Sequence, residues 1–446
     1  MTSFAAWQES ETGSPEAVLA LFRSRIEAID ASERDRAIAF VPDTVEVDDL
    51  PLERGTWAGR PLAGVPFLIK DLYDVAGWPT TASSSFLADE IGRPKATSPL
   101  VRRLHELGAV PVGKTHLNEF AYGLSGRNVH TGDCPHPRFP DRIPGGSSSG
   151  SAWAVGRGVV PLALGTDTGG SVRVPAAFCG LYGLRLVPNE WSREGCLPLS
   201  PSLDTAGWLT ASAADLQTLI RLLLAPGQDR NPTDKAASQQ DAPSADPPRG
   251  ILLDVLEVAT EPALAEAYAE VYRRLGCELE SAVAAEFVGV CGNLVHAYGV
   301  LQSREAFTVH EPWLDRHRDS YGPAVWQRID RGRHWSAADI GAAEIARARV
   351  QTFFGLLFTL FDYAVLPAVP MPAPRAADLT EEYRTRILTL TAPASLATLP
   401  VLTLPVFLEG GLSGGVQVIF RDPTSAIPLR LLEAWRSFGP QPFTPP

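Results

Sequence analysis

Apolar and polar positions fall into two kinds of block along this chain. Val18, Leu19, Phe22, Ile26 and Ile29 recur at helical spacing behind Ser14 and Pro15, which predicts a capped amphipathic helix over 14–31. Residues 32–60 lose that period and read as loop. From Leu62 the chain turns continuously apolar and ends on Lys70 and Asp71, a run of the length of a buried strand. A helix from about Ser98 to Leu107 then leads to a second strand and turn, Ala109 to Thr115. Residues 124–150 form a long loop rich in Gly, Pro, His and Ser, followed by a small-residue helix from Ala152. A third apolar run, Val159 to Leu164, feeds a turn of Gly and small hydroxyl residues through Ser171.

The second half repeats the alternation. It predicts strands at 251–255, 361–367, 401–407 and 414–420, and helices at 261–275, 283–309, 336–362 and near 391–399. Strands alternating with helices predict an α/β architecture, a mixed sheet flanked by helices on both faces. The expected organisation is one domain over 1–446. It has an N-terminal helical region (1–60), a core carrying the chemistry (61–225), a Pro/Ser/Asp-rich surface loop (226–249) and a remainder (250–446) that rejoins the same sheet.

Composition changes this picture in a few respects. The 446 residues are 45% hydrophobic and 20% charged, enough for a sizeable core. A net charge of −12 argues against a nucleic-acid or anionic-membrane partner. No run has the ~18 apolar residues of a membrane span, and the first residues lack the pattern of a signal peptide. Cys134, Cys179, Cys196, Cys277 and Cys291 are odd in number and scattered, as expected of reduced thiols in a cytoplasmic protein. Cys134 and His136 have no neighbours to complete a metal set, so neither metal nor cofactor is expected. Lysine occurs only at Lys70, Lys95, Lys114 and Lys235, so each is a candidate for a role that arginine, always charged, does not fill.

Consecutive small residues around Gly169 and Gly170 let backbone N–H groups converge on a developing negative charge, and Ser171 lies beside them. Three enzyme readings compete for this region. Gly146-Ser147-Ser148-Ser149-Gly150 matches a nucleophile elbow on Ser148, but Asp141 to Pro144 make a poor strand ahead of it. Asp167-Thr168-Gly169 suggests half of an aspartic dyad, but its only comparable copy, at Asp204, lies too close in sequence to be a second lobe. The third joins the Ser147–Ser149 run and Ser171 with Lys70. No histidine falls in either stretch, whereas a lysine ending an apolar strand can be held neutral and act as the base.

These residues resemble the amidase signature family. The resemblance rests on Gly64-Val65-Pro66-x-x-x-Lys70-Asp71, Gly113-Lys114-Thr115, Pro144-Gly145-Gly146-Ser147-Ser148 and Gly165-Thr166-Asp167-Thr168-Gly169-Gly170-Ser171-Val172-Arg173-x-Pro175. It implies an amidase-signature fold with Ser171 as nucleophile, Ser147 as a relay serine on a cis peptide bond, and Lys70 as base. It further implies an oxyanion hole from the N–H groups of Thr168, Gly169, Gly170 and Ser171, with Ser148, Asp167 and Arg173 in support. An acyl pocket is expected near Ala121, Gly123, Leu124 and Ser125, with Trp208 either lining it or packed in the core. Lys114 and Asp71 read as structural, Cys179 as packing.

The implied activity is cofactor-free hydrolysis of a small-molecule carboxamide, with carbamates and esters as further candidates. A glutamine-amidase component of a tRNA-dependent amidotransferase and a non-catalytic binding scaffold are the alternatives, and a homodimer is the family's expectation. Ser149, His116 and Trp208 depart from the usual pattern, which bears on pocket shape and not on the three proposed catalytic positions.

Overall fold

A computed structural model describes residues 3–10, 13–51, 57–224, 247–254, 258–380 and 382–438. Its strands are β1 (Ile38–Phe40), β2 (Pro66–Lys70), β3 (Val110–Thr115), β4 (Leu162–Thr166), β5 (Tyr182–Arg185), β6 (Ala206–Thr210), β7 (Gly250–Leu252), β8 (Tyr363–Pro367), β9 (Val401–Phe407) and β10 (Ser413–Phe420). All ten join one mixed sheet in the order β1-β3-β2-β4-β6-β5-β9-β10-β8-β7. β3, β2 and β4 run parallel, and the stretch from β4 to β8 is antiparallel throughout.

The apolar runs become central strands because both faces of the sheet are covered. Along β2, Phe67 and Ile69 pack into one core cluster while Leu68 packs into the other. Along β4, Leu162 and Leu164 divide from Ala163 in the same way. That period of two is the pleat itself, and it places helices on both sides. Helix Pro15–Glu27 caps on Ser14 as its sequence indicates and buries Val18, Leu19, Phe22 and Ile26. Helix Arg173–Cys179 is buried at every position and follows β4 by a single turn.

Several elements differ from the sequence expectations. The predicted loop at 32–60 contains β1, which pairs antiparallel on the sheet edge. The single helix expected at 283–309 is two, Ser281–Cys291 and Leu294–His310, bent by 43° where Gly292 and Asn293 interrupt it. The helix expected to reach 362 stops at Leu357, because Tyr363 must enter β8. The helix near 391–399 begins earlier, at Glu382, and tolerates Pro393 inside it. β5, β6 and the helices Ala213–Leu223 and Pro323–Asp330 had no sequence expectation. Positions 226–246 of the expected surface loop lie outside the described residues. Among those described, no single helix is long and apolar enough to cross a membrane.

Candidate active site

β2 and β4 are parallel neighbours, with Ile69 opposite Leu164, so their C-terminal ends bring Lys70 and Thr166 side by side. Ligand sites in α/β sheets gather at such ends. Lys70 Nζ lies 2.7 Å from Ser147 Oγ, 3.1 Å from Ser148 Oγ and 2.7 Å from Thr166 Oγ1, in full burial. Burial pushes its amine down to about 7, against the opposing pull of Cys196, Asp167 and Asp204. The Gly146–Ser147 peptide is cis, as the resemblance implied. Ser148 Oγ donates onward to the Thr166 carbonyl at 3.2 Å, and its N–H donates to the Ser171 carbonyl at 3.3 Å. Ser171 is 3% exposed, and its hydroxyl has no hydrogen-bond partner among the described residues.

The turn between β4 and helix Arg173–Cys179 is wound around one carboxylate. Asp167 Oδ1 accepts from the Gly170 N–H at 2.8 Å, and Oδ2 accepts from the Val172 N–H at 3.0 Å. Arg173 meets Asp167 bidentately at 3.1 and 2.9 Å. The other guanidinium protons go to Thr391 O, Gln417 Oε1 and Ser395 Oγ. Arg185 adds a second cation at 3.1 Å. Against the cost of burial, Arg173 and Arg185 hold the Asp167 carboxyl far below the usual carboxylate range.

This network revises the expected oxyanion hole. The Gly170 N–H is already given to Asp167, whereas those of Thr168, Gly169 and Ser171 have no backbone or side-chain acceptor among the described residues. Two glycines make the turn feasible. Gly170 has φ +132, and a Cβ on Gly169 would fall 2.1 Å from the Tyr298 hydroxyl. Thr168 Oγ1 donates to Asp204 Oδ1 at 2.6 Å, and Thr391 Oγ1 donates to the Gly169 carbonyl at 2.6 Å.

Beside the turn lies a cavity of about 200 Å³, lined by Thr166, Thr168, Ala121 and Leu72, by Arg193, by Cys196 to Leu199, and by Pro201, Asp204 and Thr205. Of the residues expected to form the acyl pocket, Ala121 lines it; Gly123, Leu124, Ser125 and Trp208 do not. Gly123 packs against the Asn118 side chain, the Leu124 carbonyl accepts from Tyr383 OH at 2.8 Å, and Ser125 Oγ accepts from the Arg127 N–H. Trp208 is fully buried on β6, opposite both Leu164 and Leu184, and belongs to the core. Lys114 forms a buried ion pair with Asp71 at 2.7 Å and also holds the Pro79 carbonyl, the structural role its position suggested. His136 spends Nε2 on the Phe178 carbonyl and Nδ1 on the N–H groups of Arg138 and Phe139.

Sequence reasoning missed Arg185 and Tyr298, quoted Thr166 only as part of the motif, and weighed Asp204 only as the partner of an aspartic dyad. Burial pushes Asp204 up to about 6, although it accepts from Thr168 and from the N–H groups of Leu199 and Ser200. The prolines at 198 and 201 mark the cavity wall in the sequence, but only as a loop.

The amidase family profile matches residues 18–422. A glutamyl-tRNA(Gln) amidotransferase subunit from Akkermansia muciniphila is 33% identical over 84% of this chain and 86% of its own. Amidase 1 from Oryza sativa subsp. japonica is 30% identical over 84% of this chain and 90% of its own. Among solved structures, an inhibitor-bound complex concerning the origins of an s-triazine catabolic enzyme superposes with a TM-score of 0.84. Its identity is 26%, covering 99% of this chain and 100% of that one. A motif set anchored at Lys70, Ser147 and Ser171, a mixed α/β sheet and a profile match over nearly the whole length agree: the chain belongs to the amidase family and is an amidase-type enzyme acting on carbon–nitrogen bonds.

Proposed function

We propose that this chain is a single-domain, cytoplasmic serine amidohydrolase that cleaves a small-molecule carboxamide through an acyl-enzyme on Ser171. The observation that carries the reading is a desolvated amine, Lys70, pushed down to about 7 and 2.7 Å from Ser147 Oγ, beside a turn with free N–H groups. As Ser171 Oγ attacks the carbonyl carbon, its proton passes to Ser147 and the Ser147 proton to neutral Lys70. The Thr168, Gly169 and Ser171 N–H groups hold the oxyanion. The C–N bond breaks as the proton returns by the same path to the leaving amine. Water then attacks the ester, giving its proton to the same relay, and Ser171 leaves with a proton restored.

Labelling with a fluorophosphonate, located by mass spectrometry, tests this reading. An adduct on Ser171 that disappears in Lys70→Ala is expected, and folded protein that takes up no label favours a binding scaffold instead. The glutamine-amidase alternative is supported by relatives named as glutamyl-tRNA(Gln) amidotransferase subunits. Turnover of anilides by the purified chain without partners favours the hydrolase; turnover of glutamine alone favours the amidotransferase component.

A further inference from the structure

Seven large apolar side chains stand exposed among the described residues, and five of them, Leu279, Val288, Ile345, Leu356 and Leu360, gather on two adjoining helices. They lie on Ser281–Cys291 and Ala337–Leu357 or within three residues of their ends. Single exposed apolar residues are normal, whereas a concentration of them marks an interaction surface. Helix Ser281–Cys291 carries one charge, Glu286, yet buries only Phe287. That ring packs on Phe353 and Phe354 of the second helix, at centroid separations of 5.3 and 6.2 Å.

Helix Ala337–Leu357 is roughly 30 Å long and buries Ala343, Val350, Phe353, Phe354 and Leu357 on one side. A solvated opposite side is normally charged. Here its centre is Ala338, Gly341, Ile345, Ala348, Thr352 and Gly355, all exposed and spaced alternately by three and four. That is the a/d seam of a two-helix coiled coil, with β-branched Ile345 and Thr352 at a, the choice that favours a parallel pair. A Cβ on Gly341 or Gly355, at d, meets nothing within 4 Å, so the face is open to a close partner.

Charge fixes the orientation. Glu344 and Arg349 flank the seam on opposite sides, at g and e. In a parallel pair, g of one helix faces the e position five residues on in the other, so Glu344 meets Arg349 of the second copy, and symmetry repeats the contact. An antiparallel pair sets like flanks together and loses both contacts. Neither charge is well spent within the chain. Glu344 reaches only Arg347, at 3.9 Å, and Arg347 also donates to Ser202 Oγ at 3.1 Å and to its carbonyl at 3.3 Å. Arg349 pairs with no carboxylate among the described residues.

We propose that helix Ala337–Leu357 packs in parallel on the same helix of a second copy of this chain, about a twofold axis running along it. Ile345 and Thr352 fill the seam, and Glu344 pairs with Arg349 across it. The partner is a second copy because the face complements itself in both shape and charge. A lipid surface suits it less: Glu286, Glu344 and Arg349 stand exposed on these two helices, and the chain carries a net charge of −12.

Sedimentation velocity on the full chain at micromolar concentration is expected to show a dimer. Ile345→Glu, an exposed position whose change leaves circular dichroism unaltered, is expected to give the monomer. Glu344→Arg and Arg349→Glu are each expected to raise the dimer Kd about tenfold or more, because like charges then face one another. Mixing those two variants in equal amounts is expected to restore the dimer, since each offers the charge the other needs. A monomeric unaltered chain overturns the proposal. So does a dimer that Ile345→Glu leaves intact, that the charge variants do not weaken, or that mixing does not restore. Flotation of the unaltered chain with phosphatidylcholine vesicles, abolished by Ile345→Glu, would make lipid the occupant and overturns it as well.

Discussion

Lys70 Nζ sits 2.7 Å from Thr166 Oγ1, across the C-terminal ends of two parallel strands that are adjacent in the sheet. Thr166 therefore helps fix the amine that faces Ser147, and its hydroxyl favours the charged form of Lys70. With the amine pushed down to about 7 by burial, kcat/KM is expected to rise with pH through about 7, because the proposed base works in its neutral form. Thr166→Val removes an acceptor from the ammonium, so the inflection is expected to move to lower pH. A pH–rate profile of both proteins on one amide checks this; an unmoved inflection would contradict the assignment of the base.

Replacing Lys70 distinguishes a base from a mere cation. Lys70→Arg keeps the charge but cannot lose its proton, so it is expected to fall as far as Lys70→Ala, by ~10²–10⁴ in kcat/KM. The same burial has a stability consequence. Between about pH 7 and 10.5 the unfolded chain holds a proton at position 70 that the folded chain lacks. Stability therefore rises with pH over that window, and Lys70→Met is expected to flatten the rise in denaturant titrations.

The serine run divides by partner. Ser147 is the closer hydroxyl to Lys70, at 2.7 Å, while Ser148 lies at 3.1 Å and gives its proton to the Thr166 carbonyl. Ser147→Ala is expected to cost ~10²–10⁴ in kcat/KM. Ser148→Ala is expected to cost less than about tenfold, in line with loss of two long hydrogen bonds, from the Lys70 amine and to the Thr166 carbonyl. Steady-state rates on one substrate separate the two, and equal losses would mean the relay is shared.

Asp167 is where stability and chemistry meet. Its carboxylate neutralises Arg173 and Arg185 in full burial and fixes the N–H groups of Gly170 and Val172. Asp167→Asn leaves two buried guanidinium groups without a counter-charge and is expected to destabilise the fold by about 3–5 kcal/mol, read by urea denaturation. Asp204→Asn acts on the turn through the Thr168 hydroxyl, and it also removes one of the charges that pull the Lys70 amine up. It is expected to lower kcat by about tenfold while fluorophosphonate still labels Ser171.

Gly169→Ala tests the tightness of the same turn. Its Cβ would meet the Tyr298 hydroxyl at 2.1 Å and the ring carbon behind it at 2.5 Å, so the turn must shift. Because the neighbouring N–H groups are those proposed to bind the oxyanion, the expected loss falls on kcat by ~10²-fold or more, with little change in KM. Single-turnover kinetics read the split.

The chain itself determined that strands such as β2 and β4 are central, because an apolar run such as Leu62 to Ile69 can be satisfied only where both faces are covered, whereas β5 and β6, equally central, carry no such run. It also determined the local chemistry of the Asp167–Arg173 turn, whose donors and acceptor lie within six residues of one another. What it could not determine is which distant groups arrive there. Arg185 reaches Asp167 from β5 although β6 lies between β5 and β4. Gly170 reads as an oxyanion donor until Asp167 is seen to take its N–H. Thr166 and Tyr298 acquire their parts only because strands and helices remote in sequence pack at one end of the sheet. Hydrophobic period is a property of neighbours along the chain, whereas hydrogen-bond partners and charge compensation depend on which elements the fold brings together.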